Sequence, residues 1–329
     1  MERIKGLDTL RFICAFVVVL GHLGAPELTD FYGVKYVQGV LNNSFVGIAG
    51  VMIFFIISGF CIHYPYSNGR PLNLQTFYTQ RLLRIGIPAI IAVTFYWLVF
   101  DVLLGGVWSL ICEIIYYLLY PIILNVQRRI SINKIIGIAF VFSIFISGIT
   151  DYYSVEYNGD FHRNGFLVTW IIGLPVWLLG VKLANDFAAA KTDDPSKWKI
   201  YCLRILVWGA ALICSVGRFH LSIPYAYSLL LFSLLGYYWV KNEISFFRNK
   251  EENSFLELGG QISYSIYLVH MAVPYLLNMY FGNLKADANW FVFIFVVFCC
   301  LFASAGYYYM IERPSHKFAK TFKFTLAQN

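Results

Sequence analysis

The sequence predicts an all-α protein, a polytopic transmembrane bundle of about ten helices with both termini cytoplasmic. Three observations carry that prediction. Of 329 residues 59% are hydrophobic and 13% charged, with a mean hydropathy of +0.64, where a soluble globular chain carries about 25% charged residues. Apolar runs long enough for a bilayer, about 20 residues each, follow one another along the chain. The basic residues fall into alternate loops. No stretch between residues 7 and 311 is polar enough for a soluble domain, so residues 1–329 are read as a single integral-membrane domain.

The candidate spans are 7–24, 44–64, 85–104, 107–127, 134–151, 165–184, 200–217, 223–240, 261–281 and 290–311. The first follows Met-Glu-Arg-Ile-Lys with no clean small-residue cleavage site, and is read as a retained helix rather than a signal peptide. Between the third and fourth, Asp101 and Gly105-Gly106 make the only break, which allows a tight hairpin or a re-entrant segment. An even count puts both termini on one side. If that side is the cytoplasm, twenty basic residues lie inside and only Lys35, Arg163, Arg218 and Lys285 outside, as the positive-inside rule requires. The same rule accounts for the net charge of +7 without nucleic acid, since no basic cluster is interleaved with exposed aromatics. The seven cysteines lie in apolar segments without C-x-x-C spacing, indicating neither a disulfide framework nor a metal site. No internal repeat is visible, which counts against transporters built from inverted halves.

An ionisable group inside a bilayer costs at least about 2.5–3.5 kcal/mol, which makes each one a functional candidate. The first span carries Asp8, Arg11 and His22. At about 1.5 Å per residue, His22 lies roughly 16 Å beyond Arg11 along the helix. Glu113 enters the fourth span five residues after the interfacial Trp108 and reaches a similar depth. A His and a carboxylate at one depth suit general-base chemistry, although a lone membrane His also serves as a hydrogen-bonded packing residue. His270, in the ninth span, fits either role, His63 reads as an exposed interfacial residue, and His316 is set aside in the tail. Arg81 and Arg84 close the loop before the third span. Three apart on one helix face, they suit a phosphate or carboxylate clamp, or simple anchoring.

Six short stretches, in order, resemble the acyltransferase 3 family of bacterial integral-membrane acyltransferases. They are Arg3-Ile-Lys-Gly-Leu-Asp8-Thr-Leu-Arg11 with His22, Gly50 to Ser58-Gly-Phe60, Arg81-Leu-Leu-Arg84-Ile-Gly-Ile-Pro88, Trp108-Ser-Leu-Ile-Cys-Glu113, Ile262 to His270, and Ile311-Glu-Arg-Pro314. The resemblance spans residues 3–314 and implies ten helices, a bacterial cytoplasmic (inner) membrane location, and transfer of an acetyl or other short acyl group from cytoplasmic acyl-CoA to a hydroxyl of a surface or secreted glycan. It implies His22 as base or acyl relay, Arg11 as its helix-mate, and Arg81 and Arg84 as holders of the coenzyme's phosphates. No permanently bound cofactor and no metal is expected, acyl-CoA being a substrate. The 23 residues between Arg84 and Trp108 are fewer than the family commonly has, which trims the outer wall of the site.

In the expected mechanism His22 removes the acceptor hydroxyl's proton as the thioester is attacked, and Glu113 orients the imidazole. A transporter with a His/Glu proton path is the alternative from another class, and a scaffold whose polar residues serve packing only is a third. The topology has a direct test. Single cysteines introduced at 35, 191, 250 and 285 and probed in intact cells with an impermeant thiol reagent should label only at 35 and 285. Labelling at 191 overturns the orientation.

Overall fold

The computed structural model describes residues 4–28, 34–101, 108–153, 166–189, 194–248, 250, 254–282 and 289–324. These residues form helices, with no strand among them. In chain order they are α1 (Leu7–Leu23), α2 (Val34–Ser44), α3 (Gly47–His63) with a 3-10 turn at Tyr64–Tyr66, α4 (Leu74–Phe100), α5 (Trp108–Gln127), α6 (Ile132–Tyr153) and α7 (Phe166–Ala188). There follow α8 (Lys197–His220), α9 (Tyr225–Phe247), α10 (Ser254–Gln261), α11 (Ser263–Val269), α12 (Ala272–Phe281), α13 (Trp290–Tyr307), a π-helical turn at Tyr308–Glu312 and α14 (Arg313–Thr321).

Among the described residues seven helical segments are long and apolar enough to cross a membrane: Tyr36–Tyr66, Leu74–Phe100, Trp108–Gln127, Ile132–Tyr152, Val168–Ala188, Lys197–His220 and Trp290–Thr321. The expected spans 7–24, 223–240 and 261–281 are not in that set. The first is a helix of only 17 residues. The ninth is not one helix but three, α10 to α12. Pro274 explains its second break, because proline offers no N–H to the carbonyl four residues back, that of His270, and its ring crowds that carbonyl. The first turn of α12 tolerates the same proline.

Two further differences matter for the site. The third span begins at Leu74 rather than 85, so Arg81 and Arg84 lie inside α4 and not in a loop. Polar residues such as Gln75, Gln80 and Arg81 depress the hydropathy of this stretch but form good helix. The Asn73 side chain starts it by accepting the Thr76 N–H at 2.9 Å, a standard N-cap. The segment between the first two expected spans, read as loop, contains α2. Gly105-Gly106, Arg163, Lys191 and Lys285 lie outside the described residues.

The chain divides into two compact units. One comprises Met1–Leu7, Val51–Leu72 and Gly105–Glu252, and so holds most of α3 with α5 to α9. Its closest helix approach is between α3 and α7. A Cβ on Gly59 would lie 2.1 Å from the Trp177 carbonyl oxygen, and one on Gly180 would lie 2.0 Å from that of Ile56. Reciprocal glycines let two backbones touch where lipid tails supply no hydrophobic drive, so packing itself must hold the helices. Around this contact Ile56, Phe60, Trp177 and Val181 are fully buried.

The other unit comprises Asp8–Gly50, Asn73–Leu104 and Asn253–Asn329. Here α1 packs on the first turn of α3, where a Cβ on Gly50 would stand 3.0 Å from the Cys14 carbonyl. It also meets the end of α10, since a Cβ on Gly260 would lie 2.0 Å from the Asp8 carbonyl. The buried Glu257 ties the two helices by accepting the Thr9 N–H at 3.0 Å and the Thr9 hydroxyl at 2.5 Å. Three side-chain bonds fasten α4 to the C-terminal elements: Tyr264 to the Ile85 carbonyl at 2.8 Å, Tyr307 to that of Pro88, and Ser315 to that of Leu83 at 3.3 Å.

The glycine contact yields a paired test. Gly180→Leu should lower the melting temperature in detergent by many degrees or abolish folded protein, because the added side chain meets backbone that cannot yield. Gly209→Leu on α8, where nothing lies within 4 Å of the new Cβ, should leave it nearly unchanged. Equal effects would remove the close approach as the cause.

Candidate functional site

The candidate residues separate into the two units, and each group is self-contained. In the second unit α1 carries Asp8 and Arg11 in its first turns and His22 in its last. Arg11 donates to Asp8 at 3.1 Å, an i,i+3 ion pair on one face. His22 is exposed at the end of the helix. Its Nδ1 is 2.8 Å from the Val18 carbonyl oxygen and 3.4 Å from Nε2 of His270. The two rings face each other with centroids 5.0 Å apart.

These contacts set the tautomers. A carbonyl can only accept, so the His22 proton sits on Nδ1 and the lone pair on Nε2. His270 is 5% exposed, and its Nδ1 lies 3.0 Å from the Ile266 and 2.9 Å from the Tyr267 carbonyl oxygens, so it too is protonated there. Its Nε2 is left as the acceptor facing His22. In the His22 ring one nitrogen is thus anchored, and Nε2 is the one left free of these contacts. His270, which the sequence left between a structural and a functional role, stands against His22.

Arg81, Arg84, Arg11 and the C-terminal helix α14 all belong to this unit. Glu312, at the end of the π turn, is buried and accepts the Ser265 N–H at 3.1 Å and the Ser265 hydroxyl at 2.5 Å. The positive charges of Arg84 and Arg11 act on it. Those of Arg84, Lys320 and Arg81 act on His316. Arg81 also lies over the Phe77 ring, 5.9 Å from its centroid. Arg84 and Arg11 thus act on the buried Glu312, and Arg84, Arg81 and Lys320 on His316, an accumulation of positive charge suited to a polyanion. Glu312 was visible in the sequence only within a closing motif, and Lys320 was not singled out. Their link to α4 spans more than 220 residues, a distance that no local pattern reports.

In the first unit Glu113 is fixed by hydroxyls. Ser58 donates to its Oε1 at 2.5 Å, Tyr117 donates to the same oxygen, and Trp177 Nε1 donates to Ser58 Oγ at 3.2 Å. Trp108 opens α5 and meets Phe55 edge-on, the ring centroids 6.2 Å apart. The demand that a membrane carboxylate be neutral, paired or hydrated is met by these donors.

His63 corrects its expectation. It is 3% exposed, with Nδ1 3.0 Å from the Tyr120 hydroxyl and Nε2 2.8 Å from Asn185 Oδ1. Partners 57 and 122 residues away make it a packed internal polar group. Arg204, within the expected span 200–217, is paired too. Its Nε donates to Glu243 at 3.2 Å, and Trp239 Nε1 donates to the same carboxylate at 2.9 Å.

Seven membrane-length helical segments among the described residues make this a multi-pass membrane protein. Comparison with known proteins makes the class definite. The acyltransferase 3 model, described as an acyltransferase domain, matches residues 4–309, and the chain belongs to that family. Among curated proteins it is similar to a Staphylococcus aureus (strain COL) protein named "Putative O-acetyltransferase", 27% identical over an alignment of 387 positions, gaps included, that covers 96% of this chain and 58% of that protein. A protein of the same name from strain MSSA476 is 26% identical with the same coverage. The chain therefore spans under two thirds of the length of these relatives. No solved structure matches it.

Proposed function

We propose that the protein transfers an acetyl or other short acyl group from acyl-CoA, bound on the cytoplasmic side, to a hydroxyl of a cell-surface or secreted polysaccharide or glycolipid. In this reading it sits in the bacterial cytoplasmic membrane with both termini inside. The observation that carries the reading is the His22–His270 pair: an imidazole whose Nδ1 is held by the Val18 carbonyl and His270, so that Nε2 is the nitrogen placed to take a proton. An alcohol is a poor nucleophile at neutral pH, and a positioned base contributes about 10²–10⁴-fold.

As the acceptor oxygen attacks the thioester carbon, its proton passes to His22 Nε2. The imidazolium so formed keeps its Nδ1–H directed at Val18 and His270. This assigns to His270 the orienting role that the third group plays in acyl-transfer triads, a role the sequence alone offered to Glu113. Glu113 enters the proposal as a carboxylate held ready by Ser58 and Tyr117. Arg81, Arg84, Arg11 and Lys320 receive the coenzyme's phosphates, where a guanidinium offers a bidentate fork that lysine lacks. Asp8 keeps Arg11 in place.

Two tests follow, run on purified protein in liposomes with labelled acetyl-CoA and a panel of bacterial glycolipids. His22→Ala should reduce transfer by about 10² or more, the scale of a general base, with acetyl-CoA binding retained; unimpaired transfer would take His22 out of the chemistry. Arg81→Ala and Arg84→Ala should raise the dissociation constant for acetyl-CoA, with lysine restoring only part of it. Unchanged donor affinity in the folded double variant would sink the phosphate assignment.

A further inference from the structure

Past α14 the backbone leaves the helix, Phe322 being extended with φ −80° and ψ 102°. Carbonyls from here on have no helical N–H to accept from and take their donors elsewhere. They find them on α4. Gln80 Nε2 donates to the Phe322 carbonyl at 2.8 Å, Asn73 Nδ2 to that of Phe324 at 2.9 Å, and the Thr76 hydroxyl to the same Phe324 oxygen at 3.3 Å. In return the Phe324 N–H donates to Thr76 Oγ1 at 3.0 Å. Positions 73, 76 and 80 recur at helical spacing, so the three side chains make one polar stripe at the head of α4. Phe322–Phe324 is strapped along it.

The other end of the same seam is the Ser315 hydroxyl, which donates to the Leu83 carbonyl at 3.3 Å. The two segments therefore run antiparallel, with Leu83 opposite Ser315, Gln80 opposite Phe322 and Thr76 opposite Phe324. Arg81 on α4 and Lys320 on α14 both fall between the first two of these rungs, and Arg84 adjoins the first. The charges of Arg84, Lys320 and Arg81 all reach His316 on the same stretch of α14. A helix of nine residues has little stability of its own. Lys320 stands five residues beyond Ser315, about 7–8 Å along the axis, and without an anchor past it this end of α14 is free to swing. Water would satisfy the polar groups of an exposed segment equally well, so four bonds from one stripe fix a position rather than replace solvent.

We propose that Asn73, Thr76 and Gln80 are positioning residues of the donor site: by strapping Phe322–Phe324 to α4 they hold the Lys320 end of α14 against the turns that carry Arg81 and Arg84. The inference rests on the reading of these cations as the site for the coenzyme's phosphates. A donor that binds the strapped arrangement has an apparent affinity reduced in proportion to the fraction of protein so arranged. Each hydrogen bond shifts such an equilibrium by about 2–10-fold. Saturating donor restores the arrangement, so the loss falls on KM and not on kcat.

The test compares wild type, Thr76→Val/Gln80→Met and Thr76→Ser in acetyl-CoA binding, in transfer kinetics and in hydrogen exchange of the Phe324 amide. Valine and methionine keep the shapes and remove three of the four strap bonds, while the Asn73 cap on the Thr76 N–H stays. In the double variant the Phe324 amide should exchange faster, the dissociation constant and KM for acetyl-CoA should rise about tenfold or more, and kcat at saturating donor should stay near wild type. Thr76→Ser retains the hydroxyl and should restore donor affinity. In wild type, saturating acetyl-CoA should slow exchange at Phe324, because coupling between two sites is reciprocal. A Phe324 amide released in the double variant with donor affinity unchanged overturns the assignment and leaves the acyltransferase reading intact. So does Phe324 exchange in wild type that acetyl-CoA leaves unaltered, a result that needs no variant to fold. If the wild type does not bind acetyl-CoA at all, the functional reading falls and the positioning role falls with it.

Discussion

A polar group with no water to turn to must find its partner inside the protein, and that requirement organises this structure. The Arg204 guanidinium has Glu243, the carboxylate of Glu113 has Ser58 and Tyr117, Asp186 has Lys182 at 3.2 Å and Tyr237 at 2.5 Å, and Glu312 has Ser265. Most of these pairs join different helices. In a medium where apolar faces gain little by meeting one another, such pairs and close backbone contacts such as Gly59 with Gly180 carry the specificity of assembly.

The same requirement gives the site its chemistry. His22 and His270 each give one nitrogen to backbone carbonyls, which serves packing and at the same time decides where the protons are. The tautomer is thus a by-product of satisfying helical carbonyls, and the free Nε2 of His22 is what that leaves over. The arginines show the complementary case. Arg84 and Arg11 act on the buried Glu312 and Arg84, Arg81 and Lys320 on His316, which leaves an excess of positive charge, and in the proposed function that excess serves an anionic donor.

Much of this was legible in the sequence. Composition and run length identified the helical membrane class, Asp8, Arg11, His22 and Glu113 were singled out as polar intrusions into apolar runs, and Arg81 and Arg84 by their spacing of three. What stayed hidden depends on sequence-distant pairing. His63 looked interfacial because it ends an apolar run, and only Tyr120 and Asn185 make it internal. Arg81 and Arg84 seemed to precede a helix because hydropathy follows apolarity, whereas the helix begins at the Asn73 cap. The run 261–281 reads as one span, and its division into α10, α11 and α12 emerges only with the backbone.

The wide turn at Tyr308–Glu312 sets an angular phase. Each residue of an α-helix advances the screw by about 100°, and a π turn accommodates an additional peptide unit without lengthening the rod by a full step. Past that turn, α14 directs Ser315 and Ala319 inward and Arg313 and Lys317 outward. One peptide unit therefore acts as the indexing pin of the C-terminal rod. It decides which azimuth of α14 faces α4, and so whether Lys320 and His316 share a sector with Arg81 and Arg84 or point elsewhere.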